Sequence, residues 1–240
     1  MAKKGEDKKQ KRLSAEKIRD LHRKEYKWTI KSIAGPYSKK SSVPLGFVIR
    51  DLLGLSKNLK EAKFVLNSGA VKVNSVVRRD YRFPVGLFDL ITLEGKKPHF
   101  RVLLDRKGKI TVKEMPGKEK PTKLSKVVGK KAVKGGFIQI ETNDALAIRE
   151  KKTTLNVGDS IKIELPTKKV IESYELKKGN FAYVTGGVHG GTLAKIKKIT
   201  KRGMNKPKLI TLESGKESFQ TIDRNVFVLG EKKPPIELEE

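Results

Sequence analysis

The sequence predicts a multidomain α+β protein made of a basic N-terminal arm, a small α/β unit, a central β domain and a small C-terminal β-barrel. Three observations predict it. Amphipathic helix patterns with clear start and stop signals are concentrated between residues 43 and 95. From there onward short alternating strands recur, with turn signals roughly every ten residues. Basic side chains dominate, 55 Lys and Arg against 27 Asp and Glu, a formal net charge of +28 on 240 residues. The divisions fall at 1–42 for the arm, 43–95 for the α/β unit, 96–176 for the central β domain, 177–230 for the barrel and 231–240 for a polar tail that turns acidic.

In the arm, the first dozen residues carry almost no apolar side chains and are expected to order only against a partner. Ser14 suits the cap of a helix running toward Tyr26, with Glu16 in its first turn. AGPYSKKSSVP then interrupts the chain with two prolines and a glycine. In VPLGFVIRDLL, the residues Leu45, Val48, Ile49, Leu52 and Leu53 stand at helical spacing behind Pro44. In NLKEAKFVLNSG, Asn58 is the expected N-cap and Gly69 the stop, with Leu59, Ala62, Val65 and Leu66 as the apolar stripe. VKVNSVV reads as a hairpin with an Asn-Ser tip, and FDLITL as a further strand.

The second half reads as strands. HFRVLLDRKGKITV is a hairpin about Lys107-Gly108, while GGFIQIETN and VGDSIKIEL alternate apolar and polar residues. NFAYVTGG, TLAKIKKIT, KLITLES and NVFVLG supply four short strands, enough for one small barrel.

A positive surplus of this size repels itself unless a polyanion neutralises it, and a phosphate backbone is the natural candidate. The blander alternatives are a basic protein that is merely soluble and one that binds acidic membranes. The 36% hydrophobic content allows only small cores. The absence of cysteine excludes disulfides, thiolate metal sites and cysteine nucleophiles. MAKKGEDKKQKRLSAEK lacks the apolar centre of a signal peptide, and no apolar run approaches the roughly 20 residues of a spanning helix. A soluble, cytoplasmic protein is the expectation.

YVTGGVHGGTLAKIKKI poses the sharpest chemical question. A phosphate loop needs Gly-Lys-Ser/Thr and a dinucleotide site needs GxGxxG before a long helix. Here Gly191 meets Thr192 directly, and the β-branched run that follows reads as a strand. The glycines are therefore turn residues first, with their exposed N–H groups as a secondary RNA contact. Asp105, in LLDRKGK, lacks the flanking residues of the catalytic Arg-Leu-Asp motif of RNA-modifying enzymes and reads as a hairpin residue. His22, His99 and His189 are too scattered for a metal helix, although His189 lies on the glycine loop where RNA would reach it. No cofactor, metal or small-molecule substrate is expected.

The order of the pieces resembles small-subunit ribosomal protein four of the archaeal and eukaryotic type. GPYSKKSSVPL with VIRDLL, EAKFVLNSGAVKVN with YRFPVGLFDLITL, VGDSIKIELP, KGNFAYVTGGVHGGTLAKIKKI and NVFVLGEKKPPIEL match that family in sequence order. The fourth segment resembles a KOW motif, with Gly179, Asn180, Gly186, Gly187 and Gly191 at its turn positions. The resemblance implies a non-catalytic structural constituent of the small ribosomal subunit, with ribosomal RNA and neighbouring ribosomal proteins as partners and no membrane. It implies an RNA-binding α/β unit and a KOW-type, SH3-like barrel. On it, the expected RNA-binding residues are Arg50, Lys57, Lys60, Lys63, Lys72, Asn74, Arg78, Arg79, Gly186, Gly187, His189 and Gly191. Asn74-Ser75 replaces the family's usual Asp-Gly at the hairpin tip, which is expected to alter the turn type. ETNDALAIRE lacks the Asp-Gly-Arg-Asn stretch of relatives, so no site is placed there. The rival reading is an RNA-modifying enzyme, or a free translation or transcription factor, built from the same modules.

Overall fold

The computed structural model describes residues 9–95, 99–115, 121–203, 206–215 and 217–231. The chain divides into two compact units, Met1–Val102 with Lys109–Glu119 and Leu103–Gly108 with Lys120–Glu240. The start of the arm, and the tail beyond Glu231, lie outside the described residues. What is described is mostly strand with few helices, so the protein is a multidomain β-rich chain, with less helix than its apolar periodicity predicts.

In the first unit, β1 (Lys9–Lys11) pairs antiparallel with β2 (Trp28–Ile30). The helix expected from Ser14 to Tyr26 is absent. In its place a short 3-10 turn spans Arg12–Ser14. The physical reason lies in two arginines. Arg23 Nη1 donates to the Leu13 and Ala15 carbonyls at 3.0 and 2.8 Å, taking in Ala15 an acceptor that a helix capped at Ser14 would have used. Arg19, buried at 2% exposure, donates to the Ile30 carbonyl at 2.8 Å and to Ser32 Oγ at 3.2 Å. Burial lowers the Arg19 pKa from its ordinary value, and the Glu16 carboxylate at 3.2 Å opposes that shift.

β3 (Ser42–Pro44) leads into α1 (Leu45–Phe47), which widens at once into a π turn over Val48–Leu52. Leu45, Phe47, Val48 and Ile49 are all buried. α2 (Leu59–Asn67) starts as expected at Asn58, whose side chain accepts from the Glu61 N–H at 2.9 Å. The Glu61 carboxylate reaches back to accept from the Lys57 N–H and the Asn58 amide, satisfying donors that the first turn leaves open. Ala62 and Leu66 point inward, and Gly69 at φ +83° closes the helix. There follow β4 (Val71–Val73), β5 (Val76–Val77), β6 (Pro84–Gly86), β7 (Leu90–Leu93), β8 (His99–Leu104) and β9 (Ile110–Met115). One sheet has the order β5-β4-β7-β8-β9, and β6 pairs with β3.

The second unit holds two five-stranded antiparallel sheets. Its first strands are β10 (Thr122–Val133), β11 (Phe137–Thr142), β12 (Ala147–Glu150), β13 (Ser160–Glu164) and β14 (Val170–Tyr174), in the order β12-β11-β10-β13-β14. β10 is shared: its first half pairs with β13 and its second half with β11, with an irregularity between Val127 and Gly129. Val127, Ile140, Leu155, Ile161 and Ile163 form the core there. The other strands are β15 (Phe181–Val184), β16 (Leu193–Thr200), β17 (Leu209–Ser214), β18 (Glu217–Ile222) and β19 (Val226–Gly230), in the order β18-β17-β16-β15-β19. Five strands stand where the alternation predicts four, because ESFQTI is too polar to announce itself. Ala182, Val184, Ala194, Ile196, Ile210, Leu212, Val226 and Val228 make its core. Each fully buried Val, Leu or Ile is worth about 1.5–3 kcal/mol, so these small clusters suffice to hold the sheets.

Candidate nucleic-acid interface

The expected RNA-binding residues from Arg50 to Arg79 lie in the first unit, and those from Gly186 to Gly191 in the second. In the first unit, α2 sets the geometry. Its inner stripe is buried, so Lys60, Lys63 and Asn67 fall on the opposite, exposed side, with Lys57 exposed one turn before them. Lys57 and Lys60 have no ion-pair partner among the described residues, and the nearby acid, Glu61, is turned into the helix cap. Lys63 Nζ sits 4.4 Å from the centre of the Tyr81 ring, which steadies the ammonium without neutralising it.

Among the other expected RNA-binding cations of this unit, Arg50, Lys72 and Arg78 are more committed. Arg50 donates to its neighbour Asp51, with Nη2 at 2.8 Å, and Lys72 Nζ lies 3.5 Å from Glu94. Arg78 lies over the Phe83 ring at 4.3 Å, while Arg79 is exposed beside the end of α2. Asn74 is used internally. Its Nδ2 donates to Asp89 at 2.7 Å, and its Oδ1 accepts from the Leu90 N–H at 2.9 Å. Asp89, 1% exposed, also accepts from Tyr37 Oη and the Gly86 N–H, each at 2.8 Å, so this carboxylate ties the GPYS segment, the hairpin and β6 together. Asn74 and Ser75 both take positive φ, +51° and +67°, which is the geometry a two-residue type I′ turn requires. The expected change of turn type is therefore not found: the Asn-Ser tip takes the same type I′ geometry that Asp-Gly favours, at the cost of a positive φ on Ser75.

In the second unit the glycine loop is a seam against its own chain. A Cβ on Gly191 would lie 2.2 Å from the Asp105 carbonyl oxygen, at φ +86°. A Cβ on Gly190 would lie 3.3 Å from the Gly108 Cα, and one on Gly186 3.2 Å from Asn225 Oδ1. The Gly191 N–H donates to the Val184 carbonyl and the Thr192 hydroxyl to the His189 carbonyl, both at 2.8 Å. The His189 ring stacks on Phe219 at 4.0 Å and 19°. Asp105 contributes only its carbonyl to the turn, accepting from the Gly108 N–H at 2.8 Å. Tyr183 sits under this turn, accepting from the Leu104 N–H and donating to the Leu104 carbonyl, and burial pushes its hydroxyl up to about 12. Lys126 clamps the turn that carries Asn225, its Nζ donating to the Asp223 and Val226 carbonyls. Burial pulls that ammonium down to about 8.

Three features carry no plain signal in the sequence. Phe64 is 77% exposed on the outer face of α2, visible only once the inner stripe is drawn on a helix. Asp89 is a buried hub whose partners come from remote segments. Lys123 and Asp144 form a buried ion pair at 2.6 Å, with side chains 3% and 1% exposed. Burial alone would raise the Asp144 carboxyl; Lys123, with the Thr142 and Ser125 hydroxyls, outweighs it and holds the group below its ordinary value. Among the described residues no group of three or more His, Asp or Glu stands ready to hold a metal, and no helix is long and apolar enough to cross a membrane.

Fold and site together define a class: a modular, β-rich, strongly basic binding protein with lysines displayed on a helix face. Comparison with known proteins makes this particular. Ribosomal family S4e matches residues 96–170. The small ribosomal subunit protein eS4 of Methanosphaera stadtmanae is 38% identical over 99% of this chain and 98% of its own length. That of Methanococcus aeolicus is 39% identical, over 99% of this chain and 100% of its own. The crystal structure of the 30S ribosomal protein S4e from Thermoplasma acidophilum superposes with a TM-score of 0.68 at 34% identity, covering 80% of this chain and 97% of that one. The chain belongs to the S4e family of ribosomal proteins.

Proposed function

We propose that the protein binds the RNA of the small ribosomal subunit through the outer face of α2 and the segments beside it, with the second unit adding further contacts. It is a structural constituent of that subunit and catalyses no reaction of its own, working in the cytoplasm with ribosomal RNA and neighbouring ribosomal proteins. In this reading residues 1–42 are a basic arm, 43–95 an RNA-binding α/β unit, 96–176 a central β domain and 177–230 a KOW-type, SH3-like barrel. Lysine and arginine displace counterions from phosphates and position the protein, while the shape of the folded RNA selects the site.

The observation that carries this reading is the pair of ammoniums of Lys57 and Lys60, which have no ion-pair partner among the described residues and stand on a face where the Glu61 carboxylate is locked in the cap. Lys63, Arg78 and Arg79 extend that face. Arg50, Lys72 and Asn74 contribute less, because their polar groups are already engaged. Gly186, Gly187, His189 and Gly191 form a rigid knuckle whose exposed tip, at Gly187 and Val188, is the part left for RNA. The test is filter binding of a small-subunit ribosomal RNA transcript across a salt series. Lys60→Glu, Lys63→Glu and Arg78→Glu together are expected to cut affinity at least tenfold. They are also expected to flatten the log–log salt slope by roughly 2–3. An unchanged slope overturns the assignment of this face.

A further inference from the structure

Phe64 is out of place on ordinary grounds. It is a large ring, 77% exposed, in the second turn of a helix whose apolar stripe faces the other way. It follows Lys63 and lies one turn beyond Lys60, so a bare phenyl surface stands among ammoniums. A protein neighbour would be expected to offer an apolar socket free of positive charge. Here any occupant must tolerate Lys57, Lys60 and Lys63 around it, all exposed and none paired with a carboxylate among the described residues. A polyanion with flat apolar faces meets both demands at once. We infer that Phe64 is the stacking platform for an unpaired RNA base whose flanking phosphates are held by Lys57, Lys60 and Lys63.

The inference rests on the RNA-binding reading of the α2 face and sharpens it. The lysines supply affinity for any phosphate chain, and Phe64 selects RNA in which a base is unstacked, at a loop, bulge or single-stranded junction. Asn67, exposed one turn further along the same face, lies within the same patch and offers an amide to a base edge. The ring contributes no charge, so its effect is separable from that of the lysines by salt dependence.

The experiment uses the full chain with three probes: the small-subunit ribosomal RNA transcript, a single-stranded oligoribonucleotide and a blunt RNA duplex of equal length. Phe64→Ala is expected to weaken binding to the first two by about 5- to 150-fold, the range that loss of one stacked base gives. It is expected to leave the salt slope and the duplex affinity unchanged. Phe64→Trp is expected to retain affinity, and Phe64→Leu, equally apolar but without a π face, to bind like Phe64→Ala. Unchanged binding by Phe64→Ala, a Phe64→Leu variant equal to wild type, or the same loss on blunt duplex would each overturn the stacking role. A Phe64→Ala chain that binds RNA normally yet is lost from assembled subunits would assign the ring to a protein neighbour and equally overturn it. If Phe64→Ala has no effect while the triple charge reversal does, stacking alone fails. If neither has an effect, the face itself is wrong. Melting curves on each variant exclude misfolding, which a ring this exposed is not expected to cause.

Discussion

The glycine loop at 186–191 and the outer face of α2 are both rich in features associated with nucleic-acid binding, and the structure uses them in opposite ways. In the loop, missing side chains let the backbone of residues 190 and 191 lie against the Asp105–Gly108 turn, and Gly186 against Asn225. Its close approaches are directed at the protein. On α2, the polar cap and the buried stripe satisfy the helix from within, leaving Lys57, Lys60 and Phe64 without internal duties. The lesson is that a binding surface is read from what remains uncommitted after the chain has met its own requirements.

The comparison breaks most decisively at Gly191. Gly191→Ala places a methyl group against the Asp105 carbonyl and forces a positive φ on alanine, so a loss of about 3–5 kcal/mol is expected in urea unfolding. A normally stable Gly191→Ala chain with reduced RNA binding would make the loop a ligand site instead.

Next comes the Lys126 clamp on the turn at 223–226. Lys126 has its ammonium pulled down to about 8, against an ordinary value of 10.5 in the unfolded chain. Between those two pH values the unfolded chain binds more protons than the folded one, so stability rises as pH increases from about 8 to 10.5. The gain is about 1–3 kcal/mol, the lower part of the range reflecting a side chain that is not wholly shielded from solvent. Lys126→Met is expected to abolish this pH dependence, and an identical profile in both chains would sink the account.

Gly187→Ala is expected to cost about 1–2 kcal/mol, since the residue has the positive φ of +91° but an added Cβ would meet nothing closer than 3.9 Å. The gap between it and Gly191→Ala measures the packing seam by itself. In the first unit, Ser75→Gly relieves the strained hairpin tip and is expected to stabilise by about 1 kcal/mol, read as a raised melting temperature. At the small end, Lys60→Ala is expected to leave stability within about 0.5 kcal/mol of wild type while lowering the RNA salt slope by up to about 1.

Local rules made much of the chain legible. Asn58 and Gly69 marked α2 because capping and a left-handed stop are decided within one turn of helix. The strands at Phe137–Thr142, Ser160–Glu164 and Leu209–Ser214 were legible because one face is apolar and the other is not. The helix expected from Ser14 does not form because Arg19 finds the Ile30 carbonyl and the Ser32 hydroxyl, which no window around residue 14 contains, while Arg23 folds back onto the Leu13 and Ala15 carbonyls. β10 is not announced by the sequence because its lysines interrupt the alternation, and one of them, Lys123, is buried where it meets Asp144.

By itself, the sequence determined the polyanion as partner, the multidomain, strand-rich character and the family, because charge, periodicity and motif order are written residue by residue. Only the tertiary structure decided which cations are spent on carboxylates and rings, that Asn74 and the glycines serve the fold, and that Phe64 faces outward. Those outcomes depend on which distant groups come within hydrogen-bond or van der Waals reach, and that proximity exists only once the chain has folded.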